Sequence, residues 1–352
     1  MQAQEAGAAV TRVLRAGPLS TRVSPRALTV TTALAALVLA ATVTTLVTGD
    51  YPLTPVEVLT TLLGQGDPFS DFVVFTLRLP RLLTGFLVGA ALAASGAILQ
   101  SLSRNPLASP DVIGFTQGAA TGAITATVVF QASMTAVATS AAATGLITSA
   151  AVYLLALRGG VQGFRLVLVG IGVSAMMLAA NSFLLTRTSL ESALAAQAWL
   201  VGGLNNRGWG HVQVLAATLV VLLPCALALA RRLALLEMGD LTATGLGVPA
   251  EPTRLALLVL SVGLAAVATA AAGPITFVAL AAPQLARRLT GSPTPVLVAS
   301  ALTGGLLLLL GDLAVQKLFP TSQLPVGIAT GAIGGLYLVW LLAAEWRKGS
   351  GR

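Results

Sequence analysis

The feature that most constrains this chain is a series of long apolar runs, each bounded by charged residues, proline or glycine. A helix needs about 20 apolar residues to cross about 30 Å of hydrocarbon, and in lipid its backbone satisfies its own hydrogen bonds. Runs of that length recur along the 352 residues, of which only 9% are charged. Alternating strands of about ten residues, typical of a membrane barrel, do not occur. The sequence therefore predicts an all-α integral membrane protein.

Ten of these runs are candidate membrane spans. Their approximate bounds are 27–48, 82–102, 112–132, 138–157, 166–186, 211–230, 254–272, 274–286, 296–315 and 325–345. The segment 254–286 has to cross twice through a turn at Gly273-Pro274, because one long span there would move every later loop to the other side. The predicted organisation is a cytoplasmic N-terminal tail, a ten-helix domain and a cytoplasmic C-terminal tail, over 1–26, 27–346 and 347–352.

The basic residues support this count and give an orientation. Cytoplasmic loops of membrane proteins are enriched in Lys and Arg. With ten spans and a cytoplasmic N-terminus, only five of the 20 basic residues fall outside. These five are Arg78, Arg81, Arg187, Arg207 and Lys317. The basic residues lie in separate short loops and not on one face, so the net charge of +8 does not indicate a nucleic-acid partner.

The sequence contains no motif for ATP hydrolysis and no pattern for a proton relay. A phosphate-binding loop ends in Lys-Ser or Lys-Thr, but Lys317 and Lys348 are followed by Leu and Gly. The acidic residues lie almost entirely in loops and at span ends, so no intramembrane proton relay is predicted. The one histidine, His211, lies at a span end and is interpreted as an interfacial side chain. We predict no catalytic residue, metal site or cofactor, and if ATP drives the protein, a partner hydrolyses it.

Three segments between spans have patterns of their own. Thr54-Pro55-Val56-Glu57 is a capping box with proline at the first helical position, and it predicts a short interfacial helix. The stretch 101–120 contains turn formers and is predicted to form a shaped re-entrant turn at the inner surface. The residues assigned to that turn are Arg104, Asn105, Pro106, Leu107 and Pro110. The loop 231–254 is the largest inner loop and the only one large enough to serve as a handle for another molecule.

Small residues recur every four positions in several spans, as at Gly85, Gly89, Ala93 and Ala97. Such ridges let helix backbones approach closely in lipid. Simple helix packing is the favoured interpretation, and sliding of some ridges during gating is the alternative.

Several long blocks resemble the FecCD-type permeases, the membrane subunits of ABC importers for iron-siderophores and vitamin B12. The blocks, in order, are "LRLPRLLTGFLVGAALAASGAILQSLSRNPLASPDVIG", "AWLVGGLNNRGW", "MGDLTATGLGV", "GPITFVALAAPQLARRLTG" and "LPVGIATGAIGG". The resemblance covers roughly residues 30–345. It implies a ten-helix permease that pairs with a second permease around a central pathway, with two ATP-binding subunits below and a substrate-loaded binding protein above.

The resemblance also implies roles for particular residues. Outer arginines matching Arg78 and Arg81 look like docking sites for acidic residues of the binding protein, with membrane anchoring as the alternative. The loop 231–254 looks like the element that couples to the ATPase, through Gly239, Asp240, Thr242, Ala243, Leu246 and Gly247. The spans at 166–186 and 325–345 look pathway-lining, with Ser174, Asn181 and Thr330 as polar candidates.

The chain departs from the family pattern at three places. A third docking arginine of the family falls at Gln316, so Lys317 beside it is the candidate. The family's Gly-Leu-x-x-Pro-His block ends here in Pro283-Gln284, a form that resembles one partner of heterodimeric ferric-siderophore importers. Gly202-Gly203 stands where Gly-Ser is common. The second departure favours a non-identical permease partner and iron chelates over B12.

The expected function is ATP-driven import of a ferric siderophore by alternating access across the bacterial cytoplasmic membrane. Alternatives are a B12 or haem importer permease of the same family, a ten-helix secondary transporter of the drug/metabolite type, and a membrane scaffold that transports nothing.

Overall fold

The computed structural model describes residues 12–16, 19–49, 51–111, 114–156, 163–292, 294–319 and 324–349. Helices dominate these residues. They are α1 Pro25–Val47, α2 Pro55–Leu62, α3 Pro68–Asp71, α4 Leu79–Ser103, α5 Phe115–Val128, α6 Met134–Ala156, α7 Gly163–Thr186, α8 Leu190–Leu200, α9 Trp209–Glu237, α10 Asp240–Gly245, α11 Ala250–Ala272, α12 Val278–Thr290, α13 Leu297–Leu318 and α14 Val326–Gly349. A π-helical turn, Phe72–Arg78, joins α3 to α4. The predicted all-α fold is confirmed, with one local exception. An antiparallel hairpin of β1 (Arg12–Ala16) and β2 (Leu19–Val23) precedes α1.

Each of the ten predicted spans coincides with a helix, namely α1, α4 to α7, α9 and α11 to α14. Among the described residues, seven helical segments are long and apolar enough to cross a membrane. The predicted span 112–132 is too long, because α5 has only 14 residues. The predicted span 274–286 has the right length but is displaced, because the 13-residue α12 runs from Val278 to Thr290. Parts of several predictions lie outside the described residues: residues 1–11, 112, 113 and 157, together with Arg158 and Arg352.

The turn predicted at Gly273-Pro274 is confirmed and separates α11 from α12. Gly273 has φ +74° and Phe277 has φ +68°, so the chain leaves the helical conformation at both ends of this turn. Ile275 within it is buried, and the carbonyl of Ala272 accepts a hydrogen bond of 2.7 Å from the amide of Gly203. Irregular backbone between two spans is tolerated where protein surrounds it and satisfies its polar groups. The segment 254–286 therefore forms two helices.

The core is organised around α4, which packs against α9, α11, α12 and α13. The small-residue ridge of α4 explains how close these helices come. A Cβ atom placed on Gly89 would lie 2.3 Å from the carbonyl oxygen of Gly304 in α13. One placed on Gly96 would lie 1.7 Å from the carbonyl oxygen of Ala279 in α12. The contact at Gly89 agrees with the packing interpretation, because only a residue without a side chain fits there.

The two ends of α4 define the two ends of the bundle. The Arg81 end contains α2 and the start of α4, and the α10 end contains the residues after Ser103 together with α10. The short helix predicted from its capping box is confirmed as α2, in which the hydroxyl of Thr54 accepts from the amide of Glu57 at 3.2 Å. Val56, Leu59 and Leu62 of α2 are exposed, and such an apolar face suits the predicted position at the membrane surface.

Candidate functional site

An ion pair lies at the Arg81 end of the bundle. The guanidinium of Arg81 donates to both carboxylate oxygens of Asp312, at 2.7 and 2.9 Å. The Asp312 side chain is 4% exposed and that of Arg81 is 26% exposed. Gln316, which occupies the position of the family's third arginine, donates to the same carboxylate at 2.7 Å. Much of the charge of Arg81 is therefore neutralised from within the chain.

The other two predicted docking residues differ in their surroundings. Arg78 is half-buried and donates to the carbonyl oxygens of Leu46 and Tyr51, so it ties the end of α1 to the start of α4. Lys317 is exposed at the end of α13. No carboxylate of the described residues forms an ion pair with Lys317.

Two cavities adjoin at this end of the bundle. The larger has a volume of about 890 Å³, and Arg81, Arg207 and Lys317 line it. The smaller has a volume of about 470 Å³ and is lined partly by Trp199. Both share Asn205 and Arg207. Arg207 was missed as a site residue, although its place among the five outer cations was the signal available in the sequence.

The re-entrant turn at the α10 end has the shape that its residues predict. Arg104 has φ +51° and ends α4, and the side-chain oxygen of Asn105 accepts from the amide of Leu107 at 2.9 Å. The side-chain amide of Gln284 donates to the carbonyl oxygen of Pro106 at 2.6 Å. The residue at which the chain departs from its family therefore holds this turn against α12. Pro110 is buried beyond it.

Asp111, which follows Pro110, lies in a closed environment. Its carboxylate accepts hydrogen bonds from the hydroxyls of Thr116 and Ser109, and it borders a small cavity that also touches Leu92 in the middle of α4. Asp312 is buried and Asp111 is partly buried, although the sequence places both near span ends. The hydroxyls of Thr116 and Ser109 donate hydrogen bonds to Asp111, and the guanidinium of Arg81 donates hydrogen bonds to Asp312.

The predicted coupling loop contains the short helix α10 between two glycines in unusual conformations. Gly239 has φ +115° and Gly247 has φ +81°, values that favour glycine. Ala243 is fully buried and anchors α10 to the bundle, whereas Leu241 is 92% exposed and Leu246 is 60% exposed. Thr242 is also exposed. The helix therefore presents apolar side chains away from the protein.

An ionic cluster joins α10 to the bundle. The carboxylate of Asp240 accepts from Arg104 at 2.9 Å and from Arg254 at 2.8 Å. Arg254 is nearly buried, with a side chain 7% exposed, and it also pairs with Glu251. The re-entrant turn and the coupling loop, which the sequence suggests separately, are thus one connected structure.

The three pathway candidates are not brought together within the chain. Ser174 and Asn181 lie on α7, which packs against α5 and α6, whereas Thr330 lies on α14, which packs against α12 and α13. The hydroxyl of Ser174 and the side-chain oxygen of Asn181 are buried without a hydrogen-bond partner among the described residues. Thr330 donates to the carbonyl of Gly327 at 3.1 Å.

No group of described residues has a composition that would hold a metal ion. The side chain of His211 accepts a hydrogen bond of 3.3 Å from the amide of Gly208, which agrees with its interpretation as an interfacial side chain.

The fold and both ends of the bundle match a known class of transport protein. The chain aligns with a solved structure described as an inward-facing conformation of a metal-chelate type ABC transporter, with a TM-score of 0.81 and 31% identity, covering 90% of this chain and 99% of the other. This likeness defines the class as a membrane permease of the ABC transporter type.

Sequence comparisons identify the family. The FecCD transport family matches residues 36–344. The ferric enterobactin transport system permease protein FepG of Escherichia coli K12 is 48% identical over 300 residues, which cover 85% of this chain and 91% of that protein. The achromobactin transport system permease protein CbrC of Dickeya dadantii is 40% identical over 312 residues, which cover 88% and 89%. The chain belongs to the FecCD transport family and is a multi-pass membrane permease, so the alternatives of a drug/metabolite exporter and a scaffold do not apply.

Proposed function

We propose that this chain is one permease subunit of a binding-protein-dependent ABC importer that carries a ferric siderophore across the bacterial cytoplasmic membrane. Its partners are a second, non-identical permease, two ATP-binding subunits and a siderophore-binding protein. The observation that carries the proposal is the 48% identity to a ferric enterobactin permease over most of both chains. In this arrangement the α10 end faces the cytoplasm, as the distribution of basic residues predicts.

The exposed apolar side chains of α10 support a role as the handle for the ATPase. A leucine that is 92% exposed at the tip of an anchored helix is suited to enter a cleft of another protein. Closure of the ATP-binding subunits would move α10, and the cluster of Asp240, Arg104 and Arg254 would pass that movement to α4 and α11.

The Arg81 end supplies the docking charges for the binding protein. Lys317 is the most accessible of the three, Arg78 donates to two carbonyl oxygens, and Arg81 is partly neutralised by Asp312. Each exposed pair would contribute only about 0–1 kcal/mol. Their value therefore lies in orientation and encounter rate.

The exposed surface of α7 supports a role at the pathway between two permeases. Only 11% of the residues in its most apolar 18-residue stretch are buried, against 83% for the corresponding stretch of the helical segment 68–103, which contains α4. Met176 and Phe183 are exposed on it. Two permeases that pair through this surface would bring α7 close to the pathway. The hydroxyl of Ser174 and the side chains of Asn181 and Thr330 are buried within the chain, so they would line the pathway only after these helices move.

Reconstitution tests the proposal. Vesicles containing this permease, its partner permease and the ATP-binding subunits are given siderophore-loaded binding protein outside and ATP inside. We expect uptake of radioactive iron that requires ATP and the binding protein and does not respond to a proton gradient. Uptake of cobalamin or haem in place of ferric siderophore would change the substrate, and transport by this chain alone would refute the proposal.

A further inference from the structure

The cavities at the Arg81 end form a basin with an unusual charge. We use the term outer basin for the two adjoining cavities of about 890 and 470 Å³ that share Asn205 and Arg207. Each cavity lies within the usual size range of small-molecule sites, about 300–1,000 Å³, and the two together exceed it. Three cations line the larger cavity, and no Asp or Glu is among the described residues that line it. The basin therefore has the sign and size for an anionic small molecule.

Arg207 lies where the two cavities meet, and its charge is poorly compensated. The side chain donates to the carbonyl oxygen of Gly203 at 3.3 Å, and no carboxylate of the described residues lies within ion-pair distance. Burial lowers the pKa of the Arg207 guanidinium, which still remains charged at neutral pH because its ordinary value is so high. A half-buried charge without a counter-charge favours an anionic ligand that replaces the lost hydration.

The other two basin cations differ from Arg207. Arg81 already donates to both oxygens of Asp312, so it adds little net charge. Lys317 is exposed at the rim, where a protein surface can reach it. Arg207 is recessed between the cavities and lies near Trp199, which lines the smaller one.

We infer that the outer basin is a binding site for the iron chelate in anionic form, with the guanidinium of Arg207 donating to anionic oxygens of the ligand. Catecholates and carboxylates present paired oxygens that match the two-pronged donor geometry of arginine. A flat aromatic ligand would also contact the edge of the basin at Trp199. This inference rests on the proposed function and adds the charge class of the substrate and the residue that selects it.

The test uses the full chain in nanodiscs of neutral lipid, with two ferric probes of opposite character. One is the trianionic ferric tris-catecholate complex and the other is a neutral ferric trihydroxamate. Both absorb light and quench tryptophan fluorescence, so binding in the basin is read from Trp199, with Trp199→Phe showing how much of the signal comes from that site. We expect Arg207→Gln to weaken binding of the anionic probe by about tenfold or more. We expect a change below about twofold for the neutral probe, because it has no charge to lose.

Two further variants separate charge from geometry and location. Arg207→Lys keeps the charge without the planar donor pair, so it should restore part of the affinity. Arg187→Gln removes an arginine of the same end that contacts the ring of Phe183 outside the basin, and it should leave both probes unaffected. Equal weakening of both probes by Arg207→Gln, or no weakening of either, would overturn the inference.

A transport measurement distinguishes failure of this inference from failure of the proposed function. In the reconstituted complex with loaded binding protein, the unaltered chain should support ATP-driven uptake, and Arg207→Gln should raise the substrate concentration needed for half-maximal uptake. If the unaltered chain transports ferric siderophore and Arg207→Gln behaves identically, the basin inference is wrong and the proposed function stands. If Arg207→Gln instead weakens capture of the binding protein emptied of ligand, the basin takes an acidic protein segment and the inference is also wrong.

Discussion

The guanidinium of Arg104 lies 2.9 Å from the carboxylate of Asp240, and this contact joins the end of α4 to the start of α10. Arg254 of α11 reaches the same carboxylate oxygen at 2.8 Å. Asp240 therefore links three elements, of which α10 is the one that projects from the bundle. A displacement of α10 would therefore be passed to α4 through the contact with Arg104 and to α11 through the contact with Arg254, and not only through the backbone.

Replacing Asp240 with Asn should uncouple ATP hydrolysis from transport. Asn keeps the size of the side chain but removes the charge that holds Arg104 and Arg254. Because Asp240 is 46% exposed, solvent screens the cluster, and the loss of unfolding free energy should be only about 1 kcal/mol. Uptake and ATP hydrolysis are measured on the same reconstituted complex, and we expect hydrolysis to persist while uptake falls severalfold.

A double-mutant cycle supplies the control for this variant. Arg104→Met and Asp240→Asn should be non-additive in their effect on uptake, because they remove the same contact. Strictly additive effects would mean that Asp240 acts through the backbone of α10 and not through α4.

Leu241 should matter for assembly and not for folding of the permease itself. Its side chain is 92% exposed, so Leu241→Ser removes no contact within the chain and should leave thermal unfolding of the isolated permease unchanged. If α10 enters a cleft of the ATP-binding subunit, the same change should reduce co-purification of that subunit. The matched control is Leu190→Ser in α8, since Leu190 is 76% exposed at the Arg81 end. Equal co-purification with both variants would contradict the assignment of α10.

Hydropathy predicted the fold well because each long span satisfies its own backbone and must be apolar along its length. The same rule explains the errors at α5 and α12. Their predicted spans combine a short helix with irregular backbone, at 129–132 and 274–277, and apolar composition does not distinguish these two states. Local turn chemistry at Gly273-Pro274 located one of these turns.

Site residues were predictable only where the pattern was local. The capping box of α2 and the glycines around α10 follow from short-range rules and appear as expected. The pairing of Arg81 with Asp312 joins residues 231 positions apart. That contact and the place of Arg207 between two cavities both depend on how spans pack against each other, so the sequence marks Arg207 only as an outer cation.

The pairing of Arg81 with Asp312 gives Arg81 a structural role that can be separated from docking. Arg81→Met should lower the unfolding free energy by about 2 kcal/mol, because it leaves a carboxylate that is 4% exposed without its counter-charge. The double variant Arg81→Met with Asp312→Asn should recover much of that loss, since no buried charge remains. Chemical or thermal unfolding in detergent measures both. If both variants are as stable as the unaltered chain and only capture of the binding protein changes, then Arg81 acts in docking and has no structural role.

Replacing Gly89 with Ala should separate α4 from α13. The added Cβ would lie 2.3 Å from the carbonyl oxygen of Gly304, and backbone on both sides leaves no flexible side chain to move aside. Overpacking of this kind lowers the unfolding free energy by about 1–3 kcal/mol, which thermal unfolding of the purified permease measures. Gly172→Ala in α7 is the control, because no atom lies within 4 Å of the added Cβ and alanine favours the helix. We expect Gly172→Ala to match or exceed the unaltered chain in stability. An unchanged unfolding temperature for Gly89→Ala would show that the close contact between α4 and α13 does not stabilise the bundle.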